Sequence, residues 1–261
     1  MRRVHPDARP AVVAGASSGI GAATALLLAE LGHPVALGAR RAARCQDVVD
    51  AIRVADGRAV AHQLDITSDE SVADFATLVH NELGEVEVLV ICAGRSLPGL
   101  AHEQPTGQVE ALFDSNLLGA HRLVRRFVPA MVERRRGDVV FISSDSVQTL
   151  RPRTAAYNAS KAALETLAFT MARELEGTGV RSSVVRPGPT MTEMGAEWPE
   201  DQTAAVIEDW MRWGLARHGA FLKAEAIAQA VATIVGAPPG THFTSIDVQP
   251  EAPLAEPEET P

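Results

Sequence analysis

Tyr157 is the only tyrosine in a chain of 261 residues, and Lys161, four positions on, is one of only two lysines in an arginine-rich sequence. Residues four apart on a helix share a face, so in "AAYNASKAAL" (155–164) the phenol and the ammonium project together. A cation beside a phenol favours the phenolate and draws its pKa down from about 10 toward neutrality, where a general acid or base has to work. Arginine would serve less well, because its charge is spread over a planar fork and it does not release a proton. A core tyrosine beside a solvated lysine would carry the same letters, so the pair needs support from elsewhere in the chain.

That support starts with "AGASSGIGAA", where Gly15, Gly19 and Gly21 are spaced G-x-x-x-G-x-G. A strand at Ala11 to Ala14, this turn, and a helix from about Ile20 to Leu31 would offer free backbone N–H groups to a pyrophosphate. The same letters hold a rival. "GASSG" (15–19) fits G-x-S-x-G, the nucleophile elbow of a Ser-His-Asp hydrolase, with Ser17 as nucleophile and His218 or His242 as base. An elbow needs an earlier strand–helix loop to complete its oxyanion hole, and only "MRRVHPDARP" precedes this strand. The nucleotide reading is therefore preferred.

The elements that must position these residues follow from hydrophobic runs. "PVALGA", "AVAHQL", "VEVLVICA", "DVVFIS", "VRSSVVR" and "FTSIDV" read as strands, and helical periodicity falls between most of them, as at Ser71 to Leu83 and Ala156 to Leu175. Such alternation predicts an α/β fold, a doubly wound and mostly parallel sheet with helices on both faces. "TSDE" (Thr67 to Glu70) reads as a capping box, and "ERRRGD" (133–138) as a last helical turn with Gly137 at C′. No charge lies between Arg9 and Glu30, near the span of a membrane helix, but the glycines and serines inside argue for strand, turn and helix instead.

With 46% hydrophobic residues and near-zero mean hydropathy, the chain reads as one domain over 1–248, followed by an acidic, proline-rich and disordered tail at 249–261. A formal charge of −9 and a pI near 5.4 argue against nucleic acid and anionic lipid as partners. Cys45 and Cys92 show no CxxC spacing and no apolar leader follows the N-terminus, which predicts reduced thiols and a cytoplasmic protein. The eight histidines form no ligand-spaced pairs, so no catalytic metal is expected.

"AGASSGIG", "SNLLG", "YNASK" and "RPGPTMT" stand in the order and at the spacings of the short-chain dehydrogenase/reductase family, and the chain resembles that family from about Ala11 to Val248. The resemblance implies a single Rossmann domain with a usually seven-stranded sheet. It also implies a catalytic serine thirteen positions before the tyrosine, at Ser144, which would polarise a substrate carbonyl; Ser143 and Ser146 are its neighbours. Tyr157 would pass the proton, and Lys161 would tune it and bind the nicotinamide ribose. Asn116 would anchor a water linking Lys161 to solvent. For the cofactor, the family pattern points to Gly15, Ser17, Ser18, Gly19, Ile20 and Gly21 in the loop, Asp65 by the adenine, and Ala93 and Gly94 of "ICAG". Pro187, Gly188, Thr190 and Thr192 of "RPGPTMT" complete the implied groove, with Tyr157 and Lys161.

Three departures stand out: Ala14 where the family usually has Thr, "ICAG" for its "NNAG", and "IDVQPEAP" for its "VDGG". NAD-preferring relatives carry an acid near the end of the second strand; here Ala39 holds that place and Arg40 and Arg41 follow. This pattern implies NADP(H), with Arg40 as main contact to the 2′-phosphate and Arg41 in support. The expected activity is interconversion of a ketone or aldehyde and an alcohol. The alternatives are an NAD-linked alcohol dehydrogenase of the same family and a non-catalytic dinucleotide-sensing protein. Trp198, Trp210 and Trp213 fall in the segment 192–222 that covers the substrate in the family, which suggests an apolar, moderately bulky compound. Family members pair the helices that correspond to 115–135 and 156–175, so a homodimer or homotetramer is expected.

Overall fold

The computed structural model describes residues 8–215 and 218–254. Seven strands form one sheet in the order β3-β2-β1-β4-β5-β6-β7. They are β1 (Ala11–Ala14), β2 (Val35–Ala39), β3 (Ala59–Gln63), β4 (Val88–Ile91), β5 (Gly137–Ile142), β6 (Val180–Pro187) and β7 (Ser245–Val248). Every pairing is parallel. The helices that return the chain are α1 (Gly19–Glu30), α2 (Ala42–Val54), α3 (Asp69–Leu83), α4 (Thr106–Phe113), α5 (Gly119–Glu133), α6 (Ala155–Glu174), α7 (Glu200–Arg212) and α8 (Ala224–Val235). Among the described residues no helix is long and apolar enough to cross a membrane.

The central strands are buried on both faces, which is why they read as unbroken Val/Ile/Leu runs. Alternate residues divide between two cores. Val12, Leu89, Ile91, Val139 and Phe141 meet Phe75 of α3, Leu123 of α5 and Leu164 of α6. Val13, Val88, Val90, Val140 and Ile142 meet Leu28 of α1, Val49 of α2 and Ile227 and Val231 of α8. Both cores end at the carboxyl edge of the strands. There the order reverses between β1 and β4, and such a reversal opens a crevice.

Two local expectations are corrected. Ser68, not Thr67, caps α3: its hydroxyl accepts from the Ser71 N–H at 3.2 Å, while the Thr67 hydroxyl donates to Asp65 Oδ1 at 2.7 Å. Gly137 is not a helix cap either. Arg135 takes the left-handed position at φ 55° after α5, and Gly137 opens β5, its Cα hydrogens packed on Met131. The helix expected from Ser115 is also divided, because Asp114–Leu118 form a π-helical turn before α5. Such turns collect at functional sites, and this one holds Asn116.

Candidate active site

β5 delivers its last residues into the crevice, and its alternation sets the two serines apart. Ser143 points under α6, where its hydroxyl donates to Glu165 Oε1 at 2.6 Å. Ser144 points the other way, caps a short 3-10 turn by accepting from the Ser146 N–H at 3.2 Å, and its hydroxyl lies near enough to the Tyr157 phenol to lower the phenol's pKa. Lys161, one turn beyond Tyr157 on α6, is 2% exposed, and its Nζ donates to the Ile142 carbonyl at 2.8 Å. Nζ lies over the face of the Tyr157 ring, 5.9 Å from its centre.

Asn116 ties this cluster to the loop after β4. Its Oδ1 accepts from the Arg95 N–H at 2.8 Å, and its Nδ2 donates to the Arg95 carbonyl and to Ser160 Oγ, both at 2.9 Å. The loop passes so close that a Cβ on Gly94 would stand 3.1 Å from Asn116 Oδ1 and 3.4 Å from Lys161 Nζ. Ser144 after β5, Tyr157 and Lys161 on α6, and Asn116 in the π-helical turn thus come from three elements.

The electrostatics differ from the sequence expectation. Burial pushes the Tyr157 phenol above its ordinary pKa; the Ser144 hydrogen bond and the Arg151 charge pull it down, and Asp145 raises it. Lys161 gives its hydrogen bond to the Ile142 carbonyl rather than to the phenol, with its ammonium over the ring face. Burial lowers Lys161 itself to about 8, partly offset by Cys92 and Glu165. The thiol of the partly buried Cys92 is pushed up to about 12 by its apolar surroundings, so it is neutral beside the lysine at pH 7.

Asp145 and Arg151 flank the phenol without having been anticipated. They form a two-pronged buried ion pair at 2.8 and 2.7 Å. The Arg151 guanidinium lies 5.2 Å from the centre of the Trp210 ring, and Trp210 Nε1 donates to the Pro152 carbonyl at 3.2 Å. Arg153 adds an ion pair to Asp209 at 2.6 Å. Helix α7 is thereby fastened to the loop between Ser144 and Tyr157. Trp198 reaches the Ser96 carbonyl at 3.0 Å, whereas Trp213 is 64% exposed.

The glycine loop forms the other wall. At φ +89° Gly15 sits against the chain after β4, and a Cβ there would lie 2.6 Å from the Ala93 nitrogen. A Cβ on Gly21 would lie 2.1 Å from the Gly15 carbonyl oxygen, so α1 can start this close to β1 only with glycine. Ser17, Ser18 and Ile20 are half-buried along the same turn. Ser18 precedes α1 without a side-chain cap, and the first turn carries no acid. Free N–H groups, a helix dipole and no competing carboxylate fit a dinucleotide pyrophosphate.

The remaining predicted residues lie on other loops and strand ends. Asp65 Oδ1 accepts from the Thr67 hydroxyl at 2.7 Å and the Thr67 N–H at 3.0 Å, and these bonds, aided by nearby Arg40, hold its carboxyl low. Arg41 is ion-paired to Glu193 at 2.9 Å, and Arg44, a residue the sequence reading passed over, binds the same carboxylate at 2.7 Å. Pro187 ends β6, Thr190 Oγ1 donates to the Gly188 carbonyl at 2.8 Å, and the Thr192 side chain approaches Gly19. Gln249 and Pro250, assigned by composition to the tail, pack beside Gly188, and Gln249 reaches Asp145 at 3.4 Å. The hydrolase arrangement is not assembled: His242 Nε2 pairs with the Ser182 carbonyl at 2.9 Å and His218 Nδ1 with the Ala220 N–H at 3.2 Å.

The comparisons agree with this fold. A short chain dehydrogenase of Pseudocercospora fijiensis is 35% identical over 195 residues, which are 74% of this chain and 62% of that protein. The chain spans less than two thirds of the length of the first curated relatives it matches. Among solved structures, an alcohol dehydrogenase from Thermococcus sibiricus complexed with 5-hydroxy-NADP aligns with a TM-score of 0.79 and 27% identity, covering 95% of this chain and 99% of that one. A metagenomic short-chain oxidoreductase in complex with NADP aligns with a TM-score of 0.78 and 31% identity, covering 94% and 99%. The family model described as short chain dehydrogenase matches residues 9–203. The serine, tyrosine and lysine gathered at the carboxyl edge of a parallel sheet thus stand in a chain that belongs to the short-chain dehydrogenase/reductase family of oxidoreductases.

Proposed function

We propose that the protein is an NADP(H)-dependent oxidoreductase that interconverts a ketone or aldehyde and an alcohol. The observation that carries this reading is the gathering of Ser144, Tyr157 and Lys161 after β5 and on α6, with the Lys161 ammonium over the face of the Tyr157 ring. The cofactor supplies or accepts hydride at carbon. Gly15, Ser17, Ser18, Gly19, Ile20 and Gly21 hold its pyrophosphate, Asp65 its adenine side, and Ala93, Gly94, Pro187, Gly188, Thr190 and Thr192 its nicotinamide half. Arg40 and Arg41 follow Ala39, where an acid would repel a 2′-phosphate.

In reduction, the Ser144 hydroxyl donates to the carbonyl oxygen and Tyr157 delivers its phenolic proton to the same oxygen as negative charge builds there. The raised phenol pKa suits this direction, because the group stays protonated at neutral pH. Lys161 faces both the ring and the cofactor groove, and its pKa of about 8 lets it exchange a proton near neutrality. Asn116 is a positioning residue that holds the Arg95 main chain against Ser160.

Met191, Met194, Trp213, Phe221 and Leu150 are exposed apolar side chains of the covering segment and its neighbouring loop, which suits an apolar, moderately bulky substrate. A panel of carbonyl compounds with NADPH and NADH, followed by absorbance, tests the reading. Turnover with NADPH, its loss in Tyr157→Phe, and near-normal cofactor binding by that variant are the expected outcome. Comparable kcat in Tyr157→Phe overturns the assignment of the proton donor. We also propose a homodimer or homotetramer through α5 and α6; a monomer mass by light scattering at micromolar concentration would contradict it.

A further inference from the structure

Arg41 precedes α2 as its N-cap residue and Arg44 lies in its first turn, and both guanidinium groups converge on one carboxylate. Arg41 Nη2 stands 2.9 Å from Glu193 Oε2, while Arg44 Nη1 stands 2.7 Å from Oε1 and 2.8 Å from Oε2. Two arginines on the two oxygens of one anion is the geometry with which guanidinium groups grip a phosphate. Glu193 comes directly after Thr192, whose Cγ2 would be 3.1 Å from a Cβ on Gly19. Residues 192 and 193 therefore cross from the glycine loop to the start of α2, over the groove in which a dinucleotide would lie. All three charged side chains are about half exposed, at 49%, 48% and 50%, so water can replace either partner.

We propose that Glu193 is a cofactor-specificity determinant: it occupies the anion seat made by Arg41 and Arg44, and a 2′-phosphate takes that seat from it. The proposal rests on the NADP(H) reading above and adds Arg44 to the residues that hold the phosphate. A phosphate monoester carries more charge and one more acceptor oxygen than a carboxylate, so it wins the exchange. A dinucleotide with a plain 2′-hydroxyl has nothing to offer the two arginines and leaves Glu193 in place. Glu193 is thus an internal competitor of the phosphorylated cofactor alone.

The test is binding measured by calorimetric titration, with no turnover required. NADPH, NADH, 2′,5′-ADP and 5′-ADP are titrated into the wild type, Glu193→Gln and Arg44→Ala. Removing a competitor held by two exposed ion pairs should tighten NADPH and 2′,5′-ADP by about three- to tenfold in Glu193→Gln, with NADH and 5′-ADP unchanged within about twofold. Arg44→Ala should weaken the two phosphorylated ligands by about tenfold and spare the other two. If the wild type prefers NADPH but Glu193→Gln binds it no more tightly, the competitor role is overturned while the NADP(H) reading stands. If the wild type prefers NADH and 5′-ADP, the NADP(H) reading itself falls, and this proposal with it.

Discussion

Beside Tyr157, Arg151 and Asp145 are 8% and 9% exposed, whereas Arg41 and Glu193 at the start of α2 are 49% and 50% exposed. The chemistry is the same at both ends, a guanidinium on a carboxylate at 2.7 and 2.9 Å. The surroundings differ. Away from water, removing one partner strands the other as an uncompensated charge; at the surface, water takes over whichever partner is left. Burial therefore makes the first pair part of the scaffold, and exposure makes the second a clasp that can open and close. The difference in exposure predicts which arginines can change partners during a catalytic cycle and which cannot.

The comparison breaks first if the buried pair proves dispensable. Arg151→Met leaves Asp145 unpaired beside Tyr157, and should cost about 3–5 kcal/mol in urea denaturation. A loss below about 1 kcal/mol would put the two pairs on the same footing. The buried cation Lys161 offers a smaller, pH-dependent effect. Its pKa is about 8 folded against about 10.5 unfolded, so between those values the unfolded chain binds the proton and the folded chain does not. Stability from this group therefore rises with pH across that window. Relative to Lys161→Met, the wild type should gain about 1–2 kcal/mol between pH 7.5 and 9.5. A parallel pH dependence in the two proteins would place the ammonium in contact with water.

The partners of the buried pair can also be separated by the phenol they face. Burial raises the Tyr157 pKa and the nearby Ser144 hydroxyl lowers it; beyond these, Asp145 raises it and Arg151 lowers it. Carbonyl reduction needs the protonated phenol, so its rate falls as pH rises through that pKa. Arg151→Met should move this alkaline limb to higher pH and Asp145→Asn to lower pH, with Arg151→Lys near the wild type. Shifts in one direction for both variants would mean loss of structure rather than of charge. At the exposed end the effect on the fold is smallest: Arg41→Ala should change Tm by no more than about 1 °C while weakening NADPH binding.

What could be read from the chain followed from local rules. The spacing of Tyr157 and Lys161 places them on one face because α6 is a regular helix, and the three glycines announce a close approach that the Ala93 and Gly15 backbones require. The strands were legible because a parallel sheet covered on both faces leaves unbroken apolar runs. Arg44 escaped notice because its partner Glu193 lies 149 residues away and is brought to it only by the fold. Asp145 and Arg151 are six apart in an irregular loop, where no periodicity announces a pair. The phenol pKa was misjudged for a related reason: helix spacing says which side chains neighbour each other, but not that the phenol is buried deeply enough to be pushed up. Gly137 read as a cap because glycine is the usual left-handed residue, yet Arg135 takes that position.

The strand order also has a consequence in time. β1 pairs with β2 on one edge and with β4 on the other, Ala11 against Val88. As the chain leaves a ribosome at about 5–20 residues per second, β1, β2 and β3 can close onto one another while the second edge of β1 waits roughly 4–15 s for its neighbour. That waiting edge is also where Gly15 meets Ala93, so the seam that closes late is the crevice itself. A nucleotide can therefore not template the first half of the molecule: its site comes into being only when β4 docks. Chaperones that shield an unpaired strand edge, rather than added cofactor, are what should raise the yield of newly made protein.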